Sequence, residues 1–357
     1  MTGEFDDLHD DLRTAARALL AATDHETPVD WSRITRAGWL GLEASGEMDG
    51  AGATFAELAV LLEEIGRAAA YTAYPSVAVL GIAAFTLVEP NPLRDSLFRD
   101  TVSGKVLPIV VMPGEWEDSP ENPRFRLSGD PAAIHLDGSA DFVPDAPAAD
   151  RLLIPARTPD GEILIVAVDP ATPGVTVTNQ PLLDATRIIG HVAAQHVPIR
   201  PDSLWRLPGG GTAALRHLHD RAAVATACDS LGLIEAMLAA TVEYARAREQ
   251  FGRAIGSFQA VQHACADMLV QARVARQLVT AAVRAHGTPT AATTAAMAKS
   301  YATTAAVQVV GKAMQLHGGI GYTWESGIHA YLKRATLNRS LYGTPATHRR
   351  TLAHNYS

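Results

Sequence analysis

Cysteine is nearly absent from this 357-residue chain, and the two present, Cys228 and Cys265, stand far apart with no CxxC pair. That excludes a disulfide framework and a thiolate zinc motif, and it suits a cytoplasmic protein with buried thiols. Basic charge is also short: 30 Lys and Arg stand against 38 Asp and Glu, a formal net charge of −8. No basic face accumulates, so nucleic acid is not expected as a partner. The longest apolar run, Ser76 to Val88, falls short of the roughly 20 residues that cross a bilayer. The acidic opening MTGEFDDLHDD has no apolar h-region, so neither a membrane span nor a signal peptide is expected. Of the 13 histidines only His217 and His219 form a close pair, without a third partner at ligand spacing, and no metal is expected.

What is present is apolar: 47% of the residues, enough for a full core in one large or two to three ordinary domains. The hydrophobic period changes twice. Residues 1–105 read as helical. Thr54 and Glu57 have the spacing of a capping box, and Phe55, Leu58, Ala59, Leu62 and Ile65 form one apolar stripe. That pattern leaves Glu57, Glu63, Glu64 and Arg67 mostly off the buried face. Over 106–201 short β-rich runs follow, at Val106 to Met112, Phe125 to Leu127, Arg151 to Pro155, Ile163 to Val168, Val175 to Thr178 and His191 to Val197. Gly, Pro, Asp and Asn separate them, which predicts a small antiparallel barrel or sandwich. Pro208-Gly209-Gly210-Gly211 is preceded by no strand and followed by no Gly-Lys-Ser/Thr, so it reads as a hinge rather than a phosphate loop. Residues 202–357 then carry four long helical patterns and a short charged last helix. Ala291 to Leu316 is almost all small residues, which suits close packing in a bundle buried at the centre of an oligomer.

Two stretches could carry chemistry. YARAREQFGRAIGSFQAVQHACADM, from Tyr244 to Met268, places Arg246, Arg248 and Arg253 beside Gln250 at a break between helices. Guanidinium groups beside the free amides of a helix start can receive a phosphate or pyrophosphate. QLHGGIGY, from Gln315 to Tyr322, ends a helix in adjacent glycines that let a ligand come close to backbone. Taken singly, each is equally a solvated helix face or an ordinary C-cap.

In this order and spacing, R-x-Q-F-G…F-Q followed by Q-x-x-G-G-x-G-Y resembles the acyl-CoA dehydrogenase family. Trp39-Leu40-Gly41-Leu42 with Gly50-Ala51-Gly52 resembles that family's N-terminal entry, although Ala44-Ser45 replaces its usual Pro-Glu. The resemblance implies an α+β multidomain fold: an N-terminal helical domain, a middle antiparallel β-barrel and a C-terminal four-helix bundle through which a tetramer forms. It implies FAD as the cofactor, with the ADP half clamped by Arg248, Gln250, Phe251, Phe258, Gln259, Gln315, Gly318 and Gly319, and Thr344 counted with them from the Y-E-G-T-like turn. The flavin ring would lie mainly on a neighbouring subunit. An acyl-CoA thioester is the implied substrate, and electron-transfer flavoprotein or a similar protein the implied acceptor.

The family's reaction needs a carboxylate to take the α-proton while hydride leaves the β-carbon for the flavin. The family supplies that glutamate from one of two places. Twenty residues beyond Tyr322 stands Tyr342, in Leu341-Tyr342-Gly343-Thr344; ten residues before Gly232 stands Ala222, followed by Ala223. Neither is a base. The flavin-seating T-E-P loop is replaced near Met112-Pro113-Gly114-Glu115, and the W-[IV]-[TS] segment by Phe142-Val143-Pro144, whose proline offers no N–H. The clamp is kept while the ring seat and the base are gone. The resemblance therefore narrows to the non-catalytic companion subunit of an actinobacterial α2β2 enzyme of the steroid side-chain type. A homotetramer with a base relocated to Asp229 or Glu325 is the second expectation, and a flavin-free structural subunit the third.

Overall fold

The computed structural model describes every residue except 1, 22–24, 115–121, 131–132 and 356–357. The first third is helical: α1 (Thr2–Leu20), α2 (Trp31–Arg36) and α3 (Phe55–Arg67), then a π-helical run Ser76–Ile82 continuing as α4 (Ala83–Leu87), and α5 (Pro92–Val102). The capping box forms: the Thr54 hydroxyl accepts from the Ala56 amide at 3.2 Å, and Glu57 Oε2 accepts from the Thr54 amide at 2.8 Å. The apolar stripe of α3 is buried, and so, against expectation, are its three glutamates. They are tolerated because each has a cationic or imidazole partner: Glu57 meets His9, Glu63 meets Arg276, and Glu64 meets Arg17 and Arg67.

The middle of the chain forms one eight-stranded sheet. In chain order the strands are β1 (Pro108–Val110), β2 (Phe125–Ser128), β3 (Ile134–Pro144), β4 (Arg151–Arg157), β5 (Ile163–Val168), β6 (Val175–Gln180), β7 (Ile189–Ile199) and β8 (Leu204–Arg206). Their spatial order is β6-β7-β3-β2-β4-β5-β8, with β1 beside β4. The sheet is mixed rather than purely antiparallel, because β4 pairs in parallel with both β1 and β2. Two strands escape the hydrophobic pattern. β8 is short, and β3 carries Asp137, Gly138, Ser139 and Asp141, turn formers that its bulged pairing with β7 accommodates.

The last third opens with α6 (Thr212–Ala247), followed by the two-residue strands β9 (Glu249–Gln250) and β10 (Arg253–Ala254), then α7 (Gln259–Arg284), α8 (Ala291–His317), α9 (Ile328–Ser340) and α10 (Pro345–Asn355). Helix α6 is apolar and long enough to cross a membrane, but 78% of its apolar window is buried inside the fold, as befits a core helix. It touches α3 at a glycine crossing. A Cβ on Gly66 would lie 2.0 Å from the Asp229 carbonyl oxygen, and one on Gly232 would lie 2.0 Å from that of Glu63. No side chain larger than hydrogen fits between these backbones.

Candidate functional site

The two sequence motifs meet at one end of the helical bundle. Helices α6 and α8 run in the same direction, and their C-terminal ends are joined where the Tyr244 ring stacks on His317 at 4.4 Å. Past α6, Arg248 caps the helix through its amide and the chain turns back through β9 and β10. Phe251 and Gly252 form the hairpin tip with φ of 53° and 77°, the paired left-handed conformation of a two-residue hairpin. Phe251 is 92% exposed. The Arg253 guanidinium lies 4.1 Å over the Phe258 ring, which fixes the hairpin against the start of α7. That helix begins at Gln259 with no side-chain cap, so its first amides remain open to an anion.

Arg248, Gln250 and Gln259 are exposed, and Gln315, at the end of α8, accepts from Lys312 Nζ at 2.8 Å. Beyond it Gly318 has a φ of 62°, and neither Gly318 nor Gly319 has anything within 4 Å of where a Cβ would stand. The result is an open, cation-lined corner with bare backbone on one side. Thr344 lies elsewhere, at the start of α10, where its hydroxyl accepts from the Thr347 amide at 3.2 Å.

The second region is a cleft where the N-terminal helices, the sheet and α6 converge. Ala222 and Tyr342, distant in sequence, both line it, together with Pro144, Asp145, Arg187, Asp229, Leu341 and apolar side chains from α6, α9 and the π-helical run. The cavity is only about 50 Å³. Main-chain bonds join segments beside it: the Gly114 amide donates to the Phe142 carbonyl at 2.7 Å, and the Tyr342 amide donates to the Gly114 carbonyl at 2.6 Å. Three segments distant in sequence are thus bonded to one another. Glu115, next in the replaced loop, lies outside the described residues.

Beside the cavity lies a buried ionic network that the sequence did not disclose. Asp229 accepts from Arg334 through both Nε and Nη2, from Asn338 Nδ2 at 2.6 Å and from Arg187 Nη2 at 3.4 Å. Arg334 also donates to the Ala70 carbonyl and to Thr186 Oγ1, and Arg187 donates to the Thr72 carbonyl. Burial alone would raise the Asp229 pKa, but the charges of Arg334 and Arg187 and the bonds from Arg334 and Asn338 hold it below the usual carboxylate range. Asp145, bonded by Ser76, is pushed up by burial against a partial pull from Arg187. The network ties the N-terminal helices, the sheet and the bundle together at one point. Glu325, the other relocated candidate, is exposed and does not line the cavity.

Comparisons with known proteins agree with this architecture. The family described as "Acyl-CoA dehydrogenase, N-terminal domain" matches residues 8–89, and "Acyl-CoA dehydrogenase, C-terminal domain" matches 209–357. "Acyl-CoA dehydrogenase IpdE2" of Mycolicibacterium smegmatis is 32% identical over 310 residues, 86% of this chain and 80% of that protein. Among solved structures, the "ChsE4-ChsE5 complex" of Mycobacterium tuberculosis superposes with a TM-score of 0.86 at 25% identity, covering 100% of this chain and 98% of the other. A variant of the "Tcur3481-Tcur3483 steroid ACAD" gives 0.86 at 28% identity, covering 98% and 97%. The fold, the paired motifs and these likenesses together make the chain a member of the acyl-CoA dehydrogenase family.

Proposed function

We propose that this chain is the non-catalytic companion of an α2β2 acyl-CoA dehydrogenase. It lends the ADP clamp to an FAD whose ring lies on a homologous partner, and the partner supplies the catalytic glutamate. The observation that carries this reading is the cleft. Both family positions for the base face a single cavity of about 50 Å³, and they are an alanine and a tyrosine. The cavity has room for only a few waters, far less than the several hundred Å³ of ordinary ligand pockets.

FAD is the cofactor of the family, and the corner between the hairpin and the glycine turn fits its ADP half. Arg248 is exposed with no side-chain bond among the described residues, the start of α7 has open amides, and Gly318 and Gly319 leave backbone bare. Bound there, FAD would supply the hydride-accepting ring to the partner's site; Arg248 and Gln250 would hold its pyrophosphate. The companion chains in the ChsE4-ChsE5 and Tcur3481-Tcur3483 structures support the paired assembly. The steroid ACAD among them supports a bulky CoA thioester, such as a steroid side chain, as the partner's substrate, and electron-transfer flavoprotein or a similar acceptor would take the electrons. A cytoplasmic setting suits the two unpaired thiols.

The homotetramer reading needs a base on this chain. Asp229 is committed to two arginines and an asparagine, and its lowered pKa makes it a poor proton acceptor. The test is visible absorption with native mass, for the chain alone and after co-expression with a neighbouring acyl-CoA dehydrogenase gene product. A colourless chain that becomes an α2β2 tetramer with about two flavins supports the companion role. A chain yellow by itself, with about four flavins per tetramer and full acyl-CoA turnover, overturns it.

A further inference from the structure

Lys299 on α8 is fully buried and has no carboxylate partner among the described residues. Its Nζ donates to two main-chain carbonyls, Asn338 and Gly343, both at 2.9 Å. These bracket the turn from α9 into α10. The Asn338 carbonyl belongs to the last turn of α9, whose final acceptors have no partner within the helix.

Other groups fix the same turn. His348 on α10 meets the Tyr342 carbonyl through Nε2 at 2.9 Å, and the Tyr342 amide reaches Gly114 in the sheet region. Gly343 has a φ of +94°, and a Cβ there would come within 2.7 Å of His348 Nε2, so this residue must be glycine for the histidine to close on the loop. Tyr342 itself holds a φ of 52°, a conformation that costs a non-glycine residue about 1 kcal/mol or more. Its ring is consequently turned into the cleft, where it is 7% exposed.

A buried amine is a costly way to satisfy two carbonyls unless their position matters. We propose that Lys299, with His348, is a positioning residue: it latches the Leu341–Gly343 turn so that the Tyr342 side chain plugs the cleft and keeps this chain from forming a ligand site of its own. The latch rests on the companion reading above and explains how the second cleft of such a pair stays shut. A merely stabilising lysine would leave Tyr342 where it is when the amine is removed and the chain still folds.

The Tyr342 hydroxyl supplies the readout, because burial raises its pKa well above that of ordinary tyrosines. Alkaline difference absorbance is recorded for the complex and for the same complex carrying Tyr342→Phe, so that the subtraction isolates this one ring. In the unaltered protein the pair should show no difference at about pH 11, a pH above the ordinary tyrosine pKa of about 10. With Lys299→Met, far-UV circular dichroism unchanged, the pair should differ by about one phenolate per chain. A folded Lys299→Met protein in which Tyr342 stays silent overturns the latch. If Lys299→Met does not fold, His348→Ala carries the test with the same two outcomes. Flavin content of the unaltered complex is read separately: about four flavins per tetramer sinks the companion assignment, whereas about two, with Tyr342 silent in the folded Lys299→Met complex, sinks only the latch.

Discussion

Replacing Asp229 by asparagine separates a structural carboxylate from a catalytic one. The side chain is 4% exposed and faces two guanidinium groups, Arg334 at 0% and Arg187 at 10%. Asparagine keeps the volume, removes the charge and turns an amide N–H₂ toward groups that can only donate. Breaking a buried pair by removing one partner costs about 3–5 kcal/mol, because the other charge is left in a medium that solvates it poorly. Asp145 and Asp184 lie close enough to raise the Arg334 pKa and will offset part of that loss, so about 3 kcal/mol is the expectation here. Urea unfolding followed by circular dichroism should show the loss as a lower midpoint with little change in slope. The pH dependence has a definite sign. Asp229 is depressed in the folded state, so its contribution is present above the ordinary carboxylate pKa and is lost as pH falls through the folded value; the variant should lack that part of the acid limb. A change below about 1 kcal/mol would refute the argument that this network pins the three parts of the chain, since that is the range of an exposed pair. If instead stability were kept and turnover abolished, Asp229 would be a base and the companion reading would fall with it.

Arg248→Ala should weaken FAD binding by the co-expressed complex by about 10- to 100-fold, the worth of one charge-assisted hydrogen bond. Unchanged flavin content on dialysis would favour a flavin-free packing role for this subunit. The Lys299 amine, pushed down to about 7 by burial, is neutral in the folded chain over a range where the unfolded chain still binds a proton. Stability should therefore rise with pH from about 7 toward 10, by at most about 1.4 kcal/mol per unit, and Lys299→Met should remove that rise. Gly232→Ala should destabilise by about 1–3 kcal/mol, because its Cβ would strike the α3 main chain. Gly311→Ala on α8 meets nothing within 4 Å and should stabilise the isolated chain by about 0.5–1 kcal/mol; equal effects at both glycines would contradict the crossing.

How much of this molecule is legible in its sequence depends on whether the signal is local. Thr54 and Glu57 act within one helical turn, and their capping box is present as spaced. The hairpin tip at Phe251-Gly252 and the paired glycines after Gln315 are likewise local, which is why both were visible as motifs. Hydrophobic period found six of the eight strands of the sheet and missed the short β8 and also β3, whose eleven residues are held by β7 rather than by their own pattern. Period also misplaced Glu57, Glu63 and Glu64. A glutamate reads as solvent-facing until the arginine or histidine that neutralises it is known, and Arg276 stands far along the chain from Glu63. The Asp229–Arg334–Arg187 network was illegible for the same reason, since its members lie in three separate regions and none has a telling neighbour. Ala222 and Tyr342, picked by offset from family landmarks, line one cavity. What the count could not supply was the cavity's size. That depends on Lys299, a residue lost in a run of alanines and threonines, donating across to the turn that carries Tyr342. The residues at positions 222 and 342 are written in the sequence, whereas the size of the space around them is a property of contacts between helices, and the proposed companion role rests on both.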